Sequence, residues 1–431
     1  MVEDDGPTAI DGAVRTVGRV RWIVVLLLFA ATVINYVDRQ MIGLLKPTLQ
    51  KEFGWHETTY ADIVFYFQMA YAVGYIVFGN IVDRLGARLG FAVALIIWTV
   101  AHMLHAAARS VASFAAVRFM LGIGESGGFP SSLKAITEWF PKKERAFATG
   151  LFNAGSNVGA IATPFIVAFL APRFGWRGAF IITGLFGILW LIAWLALYRR
   201  PQDSKRLSPA ERAHIEQDAP DFAQRVSWLR VISCRETWAF AVGKFLTDPV
   251  WWMFLFWLPD FLHKRHGLDL STFGPPIAVI YVVSDLGSIG GGWLSSHLIH
   301  RGWSVNAARK TTMLLCALCV VPVFFAQYVS GLWAAVAIIS LAAAAHQGWS
   351  ANLFTLVSDM FPRKAVGSVY GVGGTAGAIG GMLFSIFIGE VLEKSGAYTL
   401  IFLVSGSLYL IALLIIQLLS PRLDQAVVAE A

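Results

Sequence analysis

The sequence predicts an all-α integral membrane protein of twelve transmembrane helices, arranged as two six-helix pseudo-repeats with both termini cytoplasmic. Three observations carry that expectation: a composition too apolar for a water-soluble globule, a regular succession of apolar runs, and an echo between the two halves of the chain. Of 431 residues, 57% are hydrophobic and 14% charged, with Gly 40, Phe 31 and Trp 16, whereas an ordinary soluble protein is about 25% charged. At roughly 20 apolar residues per crossing, a dozen helices consume more than half of the chain and leave no room for a sizeable aqueous catalytic domain.

The apolar runs fall at 22–46, 58–81, 89–108, 112–138, 146–171, 177–198, 237–262, 272–297, 311–329, 331–357, 366–391 and 398–420. The first continues into ionisable residues with no small-residue cleavage site, so it is expected to be a retained span rather than a signal peptide. The expected organisation is a cytoplasmic tail (1–21), a first bundle (22–199), a polar linker (200–236), a second bundle (237–420) and a cytoplasmic tail (421–431). Basic residues orient the chain, because loops rich in Lys and Arg stay in the cytoplasm. With the N-terminus inside, 22 of the 34 basic residues fall on the cytoplasmic side and eight outside, and Arg39, Arg118, Lys134 and Lys244 lie within apolar segments.

The halves echo one another. WFPKKERAFATGLFNAGSNVGA from Trp139 aligns with MFPRKAVGSVYGVGGTAGAIGG from Met360, pairing Phe140 with Phe361 and Gly150 with Gly371 at an offset of 221 residues. GNIVDRLGAR from Gly79 pairs more weakly with GGWLSSHLIHRG from Gly291, because Asp83 has no acidic counterpart. Two parallel repeats with a site between them near the midplane are the plan of many secondary transporters. The net charge of +7 does not imply nucleic acid, since the basic residues are scattered rather than gathered on one face. Cys316 and Cys319 form a CxxC within an apolar stretch without further ligands, so no metal or cofactor is expected. No HExxH or GxSxG set marks a membrane-embedded enzyme.

Ionisable groups at membrane depth are costly, on the order of 3 kcal/mol or more each, so each is a functional candidate. Asp38 and Arg39 lie 17 and 18 residues past Arg21, about 25–27 Å along a helix. Arg118, nine residues after Arg109 on a descending helix, reaches the same level from the other face, about 13 Å below it. Two guanidiniums at one depth form a fork for a carboxylate. Glu125 lies two turns beyond Arg118 on the same face, and glycines 122, 124, 127 and 128 leave that face open to close approach. A buried ion pair bracing the bundle is the alternative reading of Arg118 and Glu125. A carboxylate that pairs with an arginine only when substrate is absent couples proton binding to anion binding. Asp38 and Glu125 are therefore the expected proton-coupling acids.

In the second half, Lys244, Asp248 and Trp252 are spaced i, i+4, i+8, with Pro249 expected to bend the helix. Trp251 or Trp252 is the candidate for stacking on a ligand ring, with packing or an interfacial belt as the alternative. Tyr281 and Asp285 repeat the i, i+4 spacing, and His346, Gln347 and Asn352 are polar at membrane depth. Ser156 and Asn157 on helix five and Thr375 on helix eleven complete the expected substrate wall. Asp83, Arg84 and Arg88 at the cytoplasmic end are the expected conformational latch.

GNIVDRLGAR resembles the signature loop of the major facilitator superfamily. NYVDRQ (35–40), RFMLGIGESGGFP (118–130), TDPVWWMFLFWLP (247–259) and HQGWSANLFTLVSDMFP (346–362) resemble its anion:cation symporter branch, the last two motifs most closely its hexuronate carriers. The resemblance implies a monomeric inner-membrane proton symporter for an organic monocarboxylate. A hexuronate is the leading substrate and an aldonate or aromatic acid the alternative. It further implies that the acids matching Asp38 and Glu125 carry protons, that the arginines matching Arg39 and Arg118 hold substrate, and that Tyr71 contacts it.

Overall fold

The computed structural model describes residues 18–217, 228–361 and 363–424, so most of the first tail, part of the linker and the end of the last tail lie outside it. Every described element is helical. The first half contains α1 (Val20–Phe53), α2 (Glu57–Leu104), α3 (Val111–Ser126), α4 (Gly128–Trp139), α5 (Lys142–Asn153) and α6 (Gly155–Leu197). Two short linker helices follow, α7 (Pro209–Ile215) and α8 (Trp228–Ile232). The second half contains α9 (Arg235–His266), α10 (Gly274–His300), α11 (Val305–Val320), α12 (Leu332–Met360), α13 (Arg363–Ser395) and α14 (Thr399–Leu419).

Nine helical segments among the described residues are long and apolar enough to cross a membrane. One, Phe147–Leu197, is 51 residues long, about twice what a single crossing needs. Its continuity is broken at Gly175 (φ 70°, ψ 167°), as that of α2 is at Gly86 (φ 77°, ψ 170°). Positive φ there is open to glycine and costly to other residues, and both breaks fall between runs that the sequence separates. The expected run 311–329 instead changes pitch: α11 ends at Val320 and a 3₁₀ turn covers Val321–Gln327, where Pro322 removes a backbone donor. Tight approach of α3 to α2 depends on glycine. A Cβ on Gly122 would meet the Phe67 carbonyl at 2.4 Å, and one on Gly124 the Trp98 backbone nitrogen at 2.5 Å.

Charges fasten each end. At the end carrying the linker, Arg21 donates to Glu144 at 2.9 Å, and the buried Glu211 of α7 accepts from the Arg21 backbone N–H at 3.1 Å. His214 sits 2.9 Å from Glu144. Burial raises the Glu144 carboxyl, but the hydrogen bonds from Arg21 and His214 outweigh it and hold the group below its usual range. Lys310 likewise caps the end of α14, 2.6 Å from the Ser420 carbonyl, a favourable place for a cation.

At the opposite end an alternating cluster joins the halves. Lys46 Nζ lies 2.6 Å from Glu57 and 2.8 Å from Asp260, and Lys264 Nζ 2.6 Å from Glu57 and 3.1 Å from Asp260. Tyr398 donates to Asp260 at 2.5 Å. The sequence count treats Lys46 as a loop charge, yet it is 0% exposed and Asp260 1%. Lys46→Met leaves the buried Asp260 and the half-buried Glu57 with only the more exposed Lys264 between them. The expected cost is on the order of 3 kcal/mol, seen as a lower melting temperature of the purified protein; an unchanged one would contradict the assignment.

Candidate substrate and proton site

At mid-depth the first half gathers its buried ions. Arg39 donates from Nε to Glu125 Oε2 at 2.8 Å, its Nη2 reaches the same oxygen at 2.8 Å, and Nη2 also donates to Asn35 at 2.9 Å. The guanidinium carbon lies 4.9 Å from the ring centres of both Tyr36 and Tyr71, 5.4 Å from Trp252 and 5.6 Å from Phe67. Such a box attracts a cation through the ring faces and presents flat apolar surface beside it. Tyr71 and Tyr75 hydroxyls meet at 3.4 Å.

Arg118 is fully buried, with its guanidinium carbon 4.6 Å from the Phe67 ring centre. It donates from Nη2 to the Arg39 backbone carbonyl at 3.3 Å, so the two arginines are neighbours, as the depth arithmetic expects. Its Nε and Nη1, and Oε1 of Glu125, have no hydrogen-bond partner among the described residues. Asp38, 1% exposed, forms no ion pair with either arginine among the described residues: its Oδ1 lies 3.2 Å from His102 Nε2. Two acids and two arginines balance when both acids are ionised. Protonating one leaves a net positive charge, the complement of a monocarboxylate.

The family model that matches residues 28–385 is that of the Major Facilitator Superfamily. The chain belongs to the Major Facilitator Superfamily. It is 32% identical over 389 residues to the hexuronate transporter of Escherichia coli K12, covering 89% of this chain and 90% of that one. It is 33% identical over 305 residues to the galacturonate transporter of Dickeya chrysanthemi, covering 69% of this chain and 88% of that one. Among solved structures, a bacterial homolog of the human lysosomal transporter Spinster superposes with a TM-score of 0.76 at 19% identity, covering 94% and 97% of the two chains. The chain is thus a multi-pass transporter of the bacterial inner membrane carrying a small molecule, and not an enzyme.

In this superfamily member the second half adds a mixed wall. Trp252 stacks on Phe256 with ring centres 5.8 Å apart and joins the box around Arg39. Trp251 stands apart from it, stacked at 5.2 Å on His346, which in turn bonds Tyr409 at 2.6 Å. Of the two tryptophans, Trp252 is therefore the one beside the arginines. Tyr281 accepts from Gln40 of α1 at 2.8 Å, Asp285 from Asn157 of α6, and Gln68 of α2 from Ser385 of α13 at 2.8 Å. These three bonds tie the halves together around the site. Lys244 pairs with Asp248 at 2.7 Å. Asn352 donates to the Gly291 and Gly348 carbonyls at 3.0 and 2.9 Å, bracing α10 against α12, Ser156 donates to the Asn153 carbonyl at the end of α5, and Thr375 bonds back to its own helix at Gly371. Gln347 is half-buried.

The latch residues divide. Arg88 donates to the Leu195 carbonyl at 2.6 Å, within its own half, Arg84 is exposed, and the Asp83 side chain lies outside what the structure describes. Sequence reasoning passed over Gln40, Gln68 and His102. Each is polar inside an apolar run, the same signal that singled out Arg118.

Proposed function

We propose that this transporter imports a hexuronate, glucuronate or galacturonate, together with a proton by alternating access. The observation that carries the reading is the buried set of Arg39, Arg118 and Glu125, in which Arg118 keeps two nitrogens without a partner next to the Arg39–Glu125 pair. A substrate carboxylate bridging the arginines displaces Glu125 from Arg39, and Glu125 then takes a proton. Proton and anion therefore favour each other's binding, which drives uptake against a gradient. Asp38 is the second proton-carrying acid. The names of the hexuronate and galacturonate relatives support the substrate class.

Trp252 and Tyr71 offer ring faces to the sugar, and Gln40, Tyr281, Gln68 and Asn157 offer hydroxyl partners. Twelve crossings follow if α2 and α6 each count as two spans, divided at Gly86 and Gly175, and α3 with α4 as one. The excess of basic residues at the linker end supports placing both termini in the cytoplasm. In that orientation the Lys46–Asp260 cluster closes the outer side. No cofactor is needed, since the proton gradient supplies the energy, and a monomer is the proposed working unit. Because the arginines read only a carboxylate, an aldonate or aromatic acid is the second reading. A thermal-stability panel separates them. Glucuronate and galacturonate are expected to raise the melting temperature at concentrations where galactonate, benzoate and glucose do not; stabilisation by galactonate or benzoate alone would favour the second reading.

A further inference from the structure

His102 is fully buried, and its Nε2 faces two oxygens: Thr183 Oγ1 at 2.8 Å and Asp38 Oδ1 at 3.2 Å. Thr183 spends its own hydrogen on the Ala179 carbonyl at 2.8 Å, so its oxygen is left to accept. With Asp38 ionised, an unprotonated Nε2 would set a lone pair against both oxygens, and in either state of the acid a proton on Nδ1 would find no acceptor among the described residues, so the ring proton is assigned to Nε2. Nδ1 has no hydrogen-bond partner among the described residues, and the two Asp38 oxygens have none at full hydrogen-bond geometry, the Trp98 indole N–H being the other donor beside them. One N–H therefore lies between two acceptors and is aligned in this structure with Thr183.

We infer that His102 is a positioning residue for Asp38, whose N–H turns from Thr183 to the Asp38 carboxylate when that acid gives up its proton. The inference rests on the reading of Asp38 as a proton-carrying acid. No bond to hydrogen breaks on the histidine: Asp38 exchanges its proton along the transport path, and the imidazole changes only the acceptor of its hydrogen bond. The ring is otherwise surrounded by His105 of the turn after α2, its ring centre 6.1 Å away, and by Phe180 of α6 at 5.0 Å. Arg118 and Glu125 of α3 complete the charged neighbours of the pair. Asp38 thus has in His102 a donor that, like the Trp98 indole, is separate from the arginines that hold Glu125 and the substrate.

The sign follows from which form is stabilised. A donor to the carboxylate makes the proton easier to release, so its loss makes Asp38 hold the proton to higher pH. The full chain in proteoliposomes, with labelled glucuronate as probe, gives the pH at which uptake falls to half on the alkaline side. His102→Leu is expected to move that midpoint up by about one pH unit, and His102→Gln, which keeps an N–H donor, to leave it within a few tenths of a unit. Thr183→Val removes the competing acceptor and is expected to move it down. Midpoints that superimpose on the wild type overturn the inference, and so does a His102→Gln shift as large as that of His102→Leu. If His102→Leu does not fold, Thr183→Val decides alone, and no downward shift overturns the inference. A wild type lacking any alkaline limb removes the proton-coupling reading itself, and this inference with it.

Discussion

Glu125→Gln is expected to lose proton-driven uptake by about 100-fold, the upper range of a site-to-site coupling energy, while retaining substrate counterflow. The glutamine resembles the protonated acid in shape and charge, so it leaves Arg39 free to meet a carboxylate. What it cannot do is release a proton and reclaim Arg39, which is 2.8 Å from the wild-type carboxylate. Counterflow exchanges substrate with no net proton movement and needs only binding and the conformational cycle. Equal loss of both activities would make Glu125 a structural partner of Arg39 rather than its competitor.

Arg118→Ala is expected to weaken glucuronate binding by on the order of 100-fold or more, the range for truncating one partner of a buried, hydrogen-bonded charge pair. The side chain is fully buried, and its one hydrogen bond among the described residues runs to the Arg39 carbonyl, with Nε and Nη1 left without a partner there. Arg118→Lys is expected to recover only part of the loss, because an ammonium supplies a point charge where a planar fork is needed. The concentration dependence of thermal stabilisation by glucuronate measures both. Wild-type affinity in Arg118→Ala would remove the arginine from the site.

The sequence made the height of each buried charge legible, but not its direction. A rise of 1.5 Å per residue put Arg39 and Arg118 at one depth, and they meet at 3.3 Å. The same arithmetic is silent about rotation around each helix axis and about which neighbouring helix lies opposite. That is why Asp38, one residue before Arg39, turns instead to His102 on α2. It is also why Trp252, rather than Trp251, lies beside Arg39. Lys46 passed for a loop charge because its burial comes from the other half of the chain, in particular Asp260. Asn352 is the converse: polarity at membrane depth marked it for substrate, whereas its amide serves two backbone carbonyls. The helix breaks were legible because charge and glycine interrupt apolar runs at Gly86 and Gly175. The pitch change after α11 was not, since Pro322 sits inside an unbroken apolar run.

Uptake of labelled glucuronate into proteoliposomes, with and without an imposed inward proton gradient, tests the central claim most directly. The account predicts accumulation above the external concentration only with the gradient, abolished by a protonophore and competed by galacturonate but not by glucose. Uptake that merely equilibrates, at the same rate with and without the gradient, would contradict it.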